Sequence, residues 1–221
     1  AIGPNLKWIK SNLENKIYMA TLLIISILLS FLIVKNFDKN FLINTVLISS
    51  ALYLFFITLR DFFIKKNKNI SQNIAHFGFS LLILSILFNN LFSTEIITNL
   101  KVGESFVSKN TKIIFEDISQ KQEKNYKAIL GNFRVENLDG TIEQMLPELR
   151  IYNQPNIVTS EADIKTTLIS DKFIVINLVQ NQEYFNVRYQ VKPFMLWIWF
   201  SVLLIGFGGL MSLIKNNKYE K

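Results

Sequence analysis

Four apolar runs constrain this chain more than any other feature. Tyr18–Val34, Phe41–Leu59, Ile74–Phe92 and Pro193–Ile214 hold 17, 19, 19 and 22 residues. At 1.5 Å rise per residue, helices of that length span roughly 25–33 Å, the thickness of a bilayer's hydrocarbon core. The first two runs carry no charge, and His76 is the one ionisable group in the third. A chain with four such runs is expected to be a membrane α-helical protein, with transmembrane helices at about 18–34, 41–59, 74–92 and from 193 onward. The first run is too long for the apolar part of a signal peptide, and no small-residue cleavage site follows it. The chain opens on Ala1-Ile2-Gly3-Pro4 rather than Met, which suggests a fragment or one half of a split protein.

Between the third and fourth runs lie about a hundred residues of another character. Lys112–Ile118, Tyr126–Glu136, Leu149–Tyr152, Phe173–Gln180 and Tyr184–Val191 are rich in β-branched and aromatic residues. Turn signals separate them, notably Asp139-Gly140 and Gln180–Gln182. The expected organisation is three helices in 1–92, an inserted β-rich extracytoplasmic domain in 93–192, and a fourth helix with a basic tail in 193–221. Pro193 is expected in the first turn of that helix, where its missing N–H costs nothing.

The net charge of +7 invites a nucleic-acid reading, but its distribution opposes one. Ile96–Lys192 contains twelve basic and twelve acidic residues, so the whole excess flanks the helices. Lys7, Lys10 and Lys16 precede the first run. Arg60, Lys65, Lys66 and Lys68 follow the second, and Lys215, Lys218 and Lys221 follow the fourth. Short basic segments stay on the cytoplasmic or matrix side. An even number of crossings puts all three clusters there and the β-rich segment outside, in the periplasm or intermembrane space. No nucleic-acid partner is implied. With no Cys, the chain has no disulfide, thiolate metal site or thiol nucleophile of its own.

His76 is the sole histidine and sits about one turn inside a span. Ionisable groups there are expensive and usually functional. Phe79, Ser80 and Ile83, at i+3, i+4 and i+7, are expected on its face. A neutral imidazole beside such residues suits axial ligation of haem iron. It equally suits a hydrogen bond to a neighbouring helix or a head group. A second axial ligand would have to come from outside this chain. Trp197 and Trp199 fit an interfacial aromatic belt, and Gly208-x-x-x-Ser212 offers small-residue spacing for helix packing.

Several strings carry a resemblance. They are Ile2-Gly3-Pro4 with Trp8, AHFGFSLLILSI from Ala75, LKVGESF from Leu100 and YKAILGNFRV from Tyr126. PELRIYNQPNIVTSEADI from Pro147, DKFIVI from Asp171 and VKPFMLWIWFSVLLIGFGGLMSL from Val191 follow. In this order the chain resembles the C-terminal part of the CcmF family, the membrane subunit of the system I cytochrome c haem lyase. Phe200 stands where the family pattern has Gly, and Leu149 where Lys is usual. The resemblance implies covalent attachment of haem to apocytochrome c on the outer face, with a separate b haem in the membrane. His76 falls where the family has one axial ligand of that b haem, and Trp197 and Trp199 fall near the outer mouth where haem is presented. The implied partners are an N-terminal half carrying the other ligand, a haem chaperone, apocytochrome c and its thiol-reducing subunit. The implied location is a bacterial or mitochondrial inner membrane. Arg150, Tyr152 and Glu161, within Pro147–Asp163, are the expected protein-contact residues. The competing expectation is a non-catalytic membrane anchor presenting a β domain to a partner.

Overall fold

The computed structural model describes residues 13–37, 40–64, 70–108, 111–179 and 183–216. The expectations that rest on Ile2–Pro4, Lys7, Trp8, Lys10, Lys65, Lys66, Lys68, Gln180–Gln182, Lys218 and Lys221 lie outside these. The chain divides into two compact units, 1–91 with 194–221, and 92–193.

Among the described residues the first unit contains four helices, each long and apolar enough to cross a membrane: α1 (Leu13–Val34), α2 (Phe41–Ile64), α3 (Ile70–Phe92) and α4 (Met195–Asn216). The helices outrun the apolar strings. Arg60 and Asp61 lie in the last turns of α2 rather than in a loop, because charged residues at a span's end can reach the interface.

Lipid is as apolar as leucine, so hydrophobicity does not choose which helix faces meet. Small residues and hydroxyls do. Ser30 of α1 donates to the carbonyl of Thr45 on α2 at 2.8 Å. Thr58 of α2 and Ser80 of α3 share a buried hydrogen bond of 2.8 Å. The Phe77 ring of α3 lies 5.5 Å from Phe55 and 6.1 Å from Phe62 of α2. Helices α3 and α4 meet through glycine. A Cβ on Gly208 would stand 2.8 Å from the Ala75 nitrogen and from the Ser71 carbonyl oxygen. One on Gly78 would stand 3.0 Å from Ile205, Leu204 and the Ser201 oxygen.

The second unit is a β-sandwich with ten strands among the described residues. These are β1 (Thr94–Leu100), β2 (Ser105–Ser108), β3 (Thr111–Gln122), β4 (Tyr126–Asn137), β5 (Ile142–Met145), β6 (Glu148–Asn153), β7 (Asn156–Glu161), β8 (Asp163–Thr166), β9 (Ser170–Leu178) and β10 (Phe185–Pro193). One sheet runs β1-β10-β9-β8. The other runs β2-β3-β4-β6-β7, with β5 paired to the far half of β4. Alternation sends Phe133 and Val135 inward and Arg134 and Glu136 outward. The core between the sheets includes Ile113, Phe115, Leu149, Ile174, Ile176, Val187 and Tyr189. The Phe115 and Phe133 rings stack with centroids 4.4 Å apart. A bulge at Glu116 shifts the β3–β4 register between Phe115 and Asp117, so that Ile118 rather than Asp117 packs against the core. Gly131 then has to lack a side chain, since a Cβ there would meet the Phe133 ring at 2.8 Å.

The structure corrects two sequence expectations, the places of Pro193 and of Ser80. Pro193 is not in the first turn of the last helix. It is the buried final residue of β10, opposite Ser170, and Phe194, with φ of 62°, separates it from α4. Pro147–Asp163 is largely a β6–β7 hairpin, turning at a cis Gln154–Pro155 bond. Ser80 does not share the His76 face; it is buried against Thr58.

Candidate functional site

His76 is the seventh residue of α3, about 9 Å along the helix axis from its start. The opposite side of α3 is committed to its own unit: Gly78 faces α4, Ser80 faces α2, and Leu84 and Ser85 are buried. The imidazole is exposed, as are Gln72, Phe79, Ile86 and Asn90, while Ile83 is half-buried. Residues 72, 76, 79, 83, 86 and 90 follow a helical stripe. Phe79, Ile83 and Ile86 form its apolar middle, with His76 and Gln72 towards one end and Asn90 at the other. An ionisable group left facing hydrocarbon is costly, so this stripe calls for a cover. Among the described residues no three His, Cys, Asp or Glu cluster as a metal site. His76 therefore offers one ligand at most.

On α4, Trp197 is 39% and Trp199 64% exposed. The Trp197 ring meets Phe200 edge-on at 6.1 Å, and the Trp197 carbonyl accepts a hydrogen bond from Ser201. Gly208 is the buried member of the Gly208/Ser212 pair. Ser212 is exposed.

In the β-sandwich, the parity of β6 puts Leu149 into the core and Glu148, Arg150 and Tyr152 on the outer face. Arg150 donates from Nε to Glu148 at 2.9 Å and approaches Glu161 at 3.8 Å. Its guanidinium lies 5.2 Å from the centre of the Tyr126 ring, which is itself 5.2 Å from that of Tyr152. The neighbouring Glu148 carboxylate raises the Arg150 pKa above its already high value. The structure thus brings together all three residues expected from sequence. It adds Tyr126 and Glu148, which the two-residue period of β6 and a paired-strand reading of Tyr126 would have found.

A second polar group lies at the other end of the sandwich. Lys172 donates to both Glu143 oxygens at 3.0 Å and to Asn137 at 3.1 Å. These residues line a cavity of about 460 Å³ with Thr111, Thr141, Ser170, Leu138 and Ile169. Nearby Tyr189 is buried, and burial pushes its phenol up to about 12.

Residues 91–193 match the family described as the CcmF C-terminal beta-sandwich. Through that domain, this chain is similar to the CcmF family. A cytochrome c-type biogenesis protein CcmF of Pseudomonas fluorescens is 31% identical over 141 residues, 64% of this chain and 21% of that one. The CcmF of Escherichia coli K12 is 24% identical along the whole chain, which covers 35% of it. A solved structure of a cytochrome c haem lyase CcmF superposes with a TM-score of 0.70 at 16% identity, over 95% of this chain and 36% of that one. The four long apolar helices with an inserted sandwich are thus the CcmF fold. The chain spans about a third or less of the length of these relatives. Its four apolar helices make it an integral membrane protein, and the relatives it matches are proteins of cytochrome c-type biogenesis.

Proposed function

We propose that this chain is the C-terminal part of a cytochrome c haem lyase, in which His76 supplies one axial ligand to a b haem within the membrane. The carrying observation is the exposed imidazole on an otherwise mainly apolar ridge of α3, one whose other side is fully engaged with α2 and α4. The residues fit one side of such a group. The His76 imidazole would offer one ring nitrogen to iron. Phe79 and Ile83 offer a dry wall for a flat porphyrin edge. The other ligand belongs to the upstream half, whose helix would also cover the ridge. When bound, a bis-His b haem supplies one-electron transfer. The work of this chain is to hold the imidazole orientation, through the packing of α3 on two neighbours, and to exclude water from it.

In this reading the basic clusters lie inside and the sandwich outside, where apocytochrome c and the haem chaperone meet it. Glu148, Arg150, Tyr152, Glu161 and Tyr126 form the protein-contact face. Trp197 and Trp199 offer ring surface to the porphyrin or the apocytochrome near the outer mouth.

The test is the visible spectrum of the chain purified with its upstream half. His76→Ala should leave insertion intact and abolish the low-spin bis-His bands. A full bis-His spectrum in that variant would return His76 to a packing role. The alternative of a bare scaffold predicts no b-type spectrum in the parent protein either.

A further inference from the structure

We infer that the end of the β-sandwich nearest its two chain crossings rests on the lipid surface through two apolar turn tips, Leu138 and Leu168-Ile169. The chain fixes which end this is. A single residue, Ser93, separates the end of α3 from Thr94 of β1, and a single residue, Phe194, separates Pro193 of β10 from α4. One residue spans at most about 3.6 Å, so both strand ends stay within a few ångströms of helices that cross the membrane. Thr94 lies opposite Val191, and Pro193 opposite Ser170. The β8–β9 turn at 167–169 therefore belongs to this same end. So does the β4–β5 turn at 138–141, because Lys172 reaches Asn137 and Glu143, and Leu138 and Ile169 line one cavity.

Turns are ordinarily polar. At the opposite end the described turns are mostly so: Glu123-Lys124-Asn125 joins β3 to β4 and Gln154-Pro155 joins β6 to β7, with Val102 in the β1–β2 turn and Val179 after β9 as exceptions. At the crossing end the two turns that lie wholly among the described residues instead read Leu138-Asp139-Gly140-Thr141 and Thr167-Leu168-Ile169-Ser170, with Leu138 77%, Leu168 72% and Ile169 68% exposed. Their polar groups turn back on the turns themselves. Asp139 accepts from the Thr141 amide and hydroxyl, and Gly140 adopts φ of 80° to permit it. Thr167 donates to the Ser170 carbonyl. What projects outward is aliphatic. Lipid is the occupant that tethering dictates: at the boundary between head groups and acyl chains, aliphatic side chains enter while the self-satisfied turn backbone stays among head groups. The tips thereby anchor this end of the sandwich to lipid, a role separate from any haem ligation.

This chain has no cysteine, so each introduced label is unique within it. Single spin-labelled cysteines replace Leu138, Ile169 or, at the opposite end, Asn156 in the full-length protein, reconstituted in phosphatidylethanolamine–phosphatidylglycerol vesicles. Labels at 138 and 169 should be relaxed strongly by oxygen and several-fold less by a water-soluble nickel chelate than the label at 156. Strong nickel relaxation at 138 and 169 would place the tips in water and overturn the inference. Protection from both reagents would mean a protein cover and overturn it equally. The two sites lie on separate turns, so either variant suffices if the other does not accumulate.

Discussion

Replacing Gly208 by alanine tests the contact that orients α3. The added methyl would stand 2.8 Å from the Ala75 nitrogen and the Ser71 oxygen and 2.9 Å from the Ala75 Cβ. Ordinary contacts begin near 3.4 Å. Two of the three obstacles are backbone atoms of a helix, which no rotamer change moves. The helices must part by roughly 0.6 Å, a gap that already forfeits a quarter or more of each contact's attraction along the seam. Overpacking of this kind costs about 1–3 kcal/mol, or roughly five- to 150-fold in the folding equilibrium. Gly206 and Gly209 supply internal controls, because a Cβ at either meets nothing within 4 Å. Gly209→Ala should change stability by less than about 0.5 kcal/mol or raise it slightly, through a stiffer unfolded chain. The assay is reversible unfolding of the purified chain in mixed micelles of mild detergent and dodecyl sulfate, followed by circular dichroism. Gly208→Ala should unfold at clearly lower dodecyl sulfate than the two controls. Coincident curves for Gly208→Ala and Gly209→Ala would refute the glycine-mediated α3–α4 seam.

Three further outcomes are expected. Phe115→Ala removes one of two stacked, fully buried rings and should destabilise the sandwich by about 3–5 kcal/mol, read as a lower thermal midpoint of its near-ultraviolet signal. Tyr189 has its pKa raised to about 12 by burial, so its stabilising contribution is complete below pH 10 and fades as pH rises towards 12; Tyr189→Phe should flatten that alkaline loss, and an unchanged pH profile would contradict it. Cysteines placed at Lys66 and Asn156 should react with an impermeant maleimide from opposite sides of sealed vesicles, and same-side reaction would remove the proposed orientation.

The spans were legible because uncharged apolar strings of helical length have few other uses. Their facing was not. Ser80, at i+4 from His76, was placed beside it by helical spacing, whereas Ser80 turns inward to Thr58. In a helix apolar all round, the inward side is marked by Gly78, Ser80 and Ser85, and hydropathy does not see that pattern. The five long or strongly branched strands were readable. Strand β1 was not, because Thr94–Leu100 follows the third apolar run without a turn signal. Strands β2, β5 and β8, of four residues each, are too short for alternation to declare itself. Pro193 misled because proline suits both a helix start and a strand end; its pairing with Ser170 decides for the strand. The oddity of His76 was plain in the sequence, while its outward aim needed the positions of α2 and α4.

The strand order also carries a consequence for how the protein is made. Strand β10 is the last of the ten to be synthesised, yet it lies between β1 and β9 at the interior of its sheet. Its pairing of Thr94 with Val191 joins residues nearly a hundred positions apart. At about 5–20 residues per second, β1 waits on the order of 5–20 s for its neighbour. Until then its edge and half of the core stand open, and closure comes only as the segment leading into α4 emerges. Maturation of the outer domain and insertion of the final span are therefore successive moments of one event, and a ribosome that stops before Phe185 leaves a sheet with no centre.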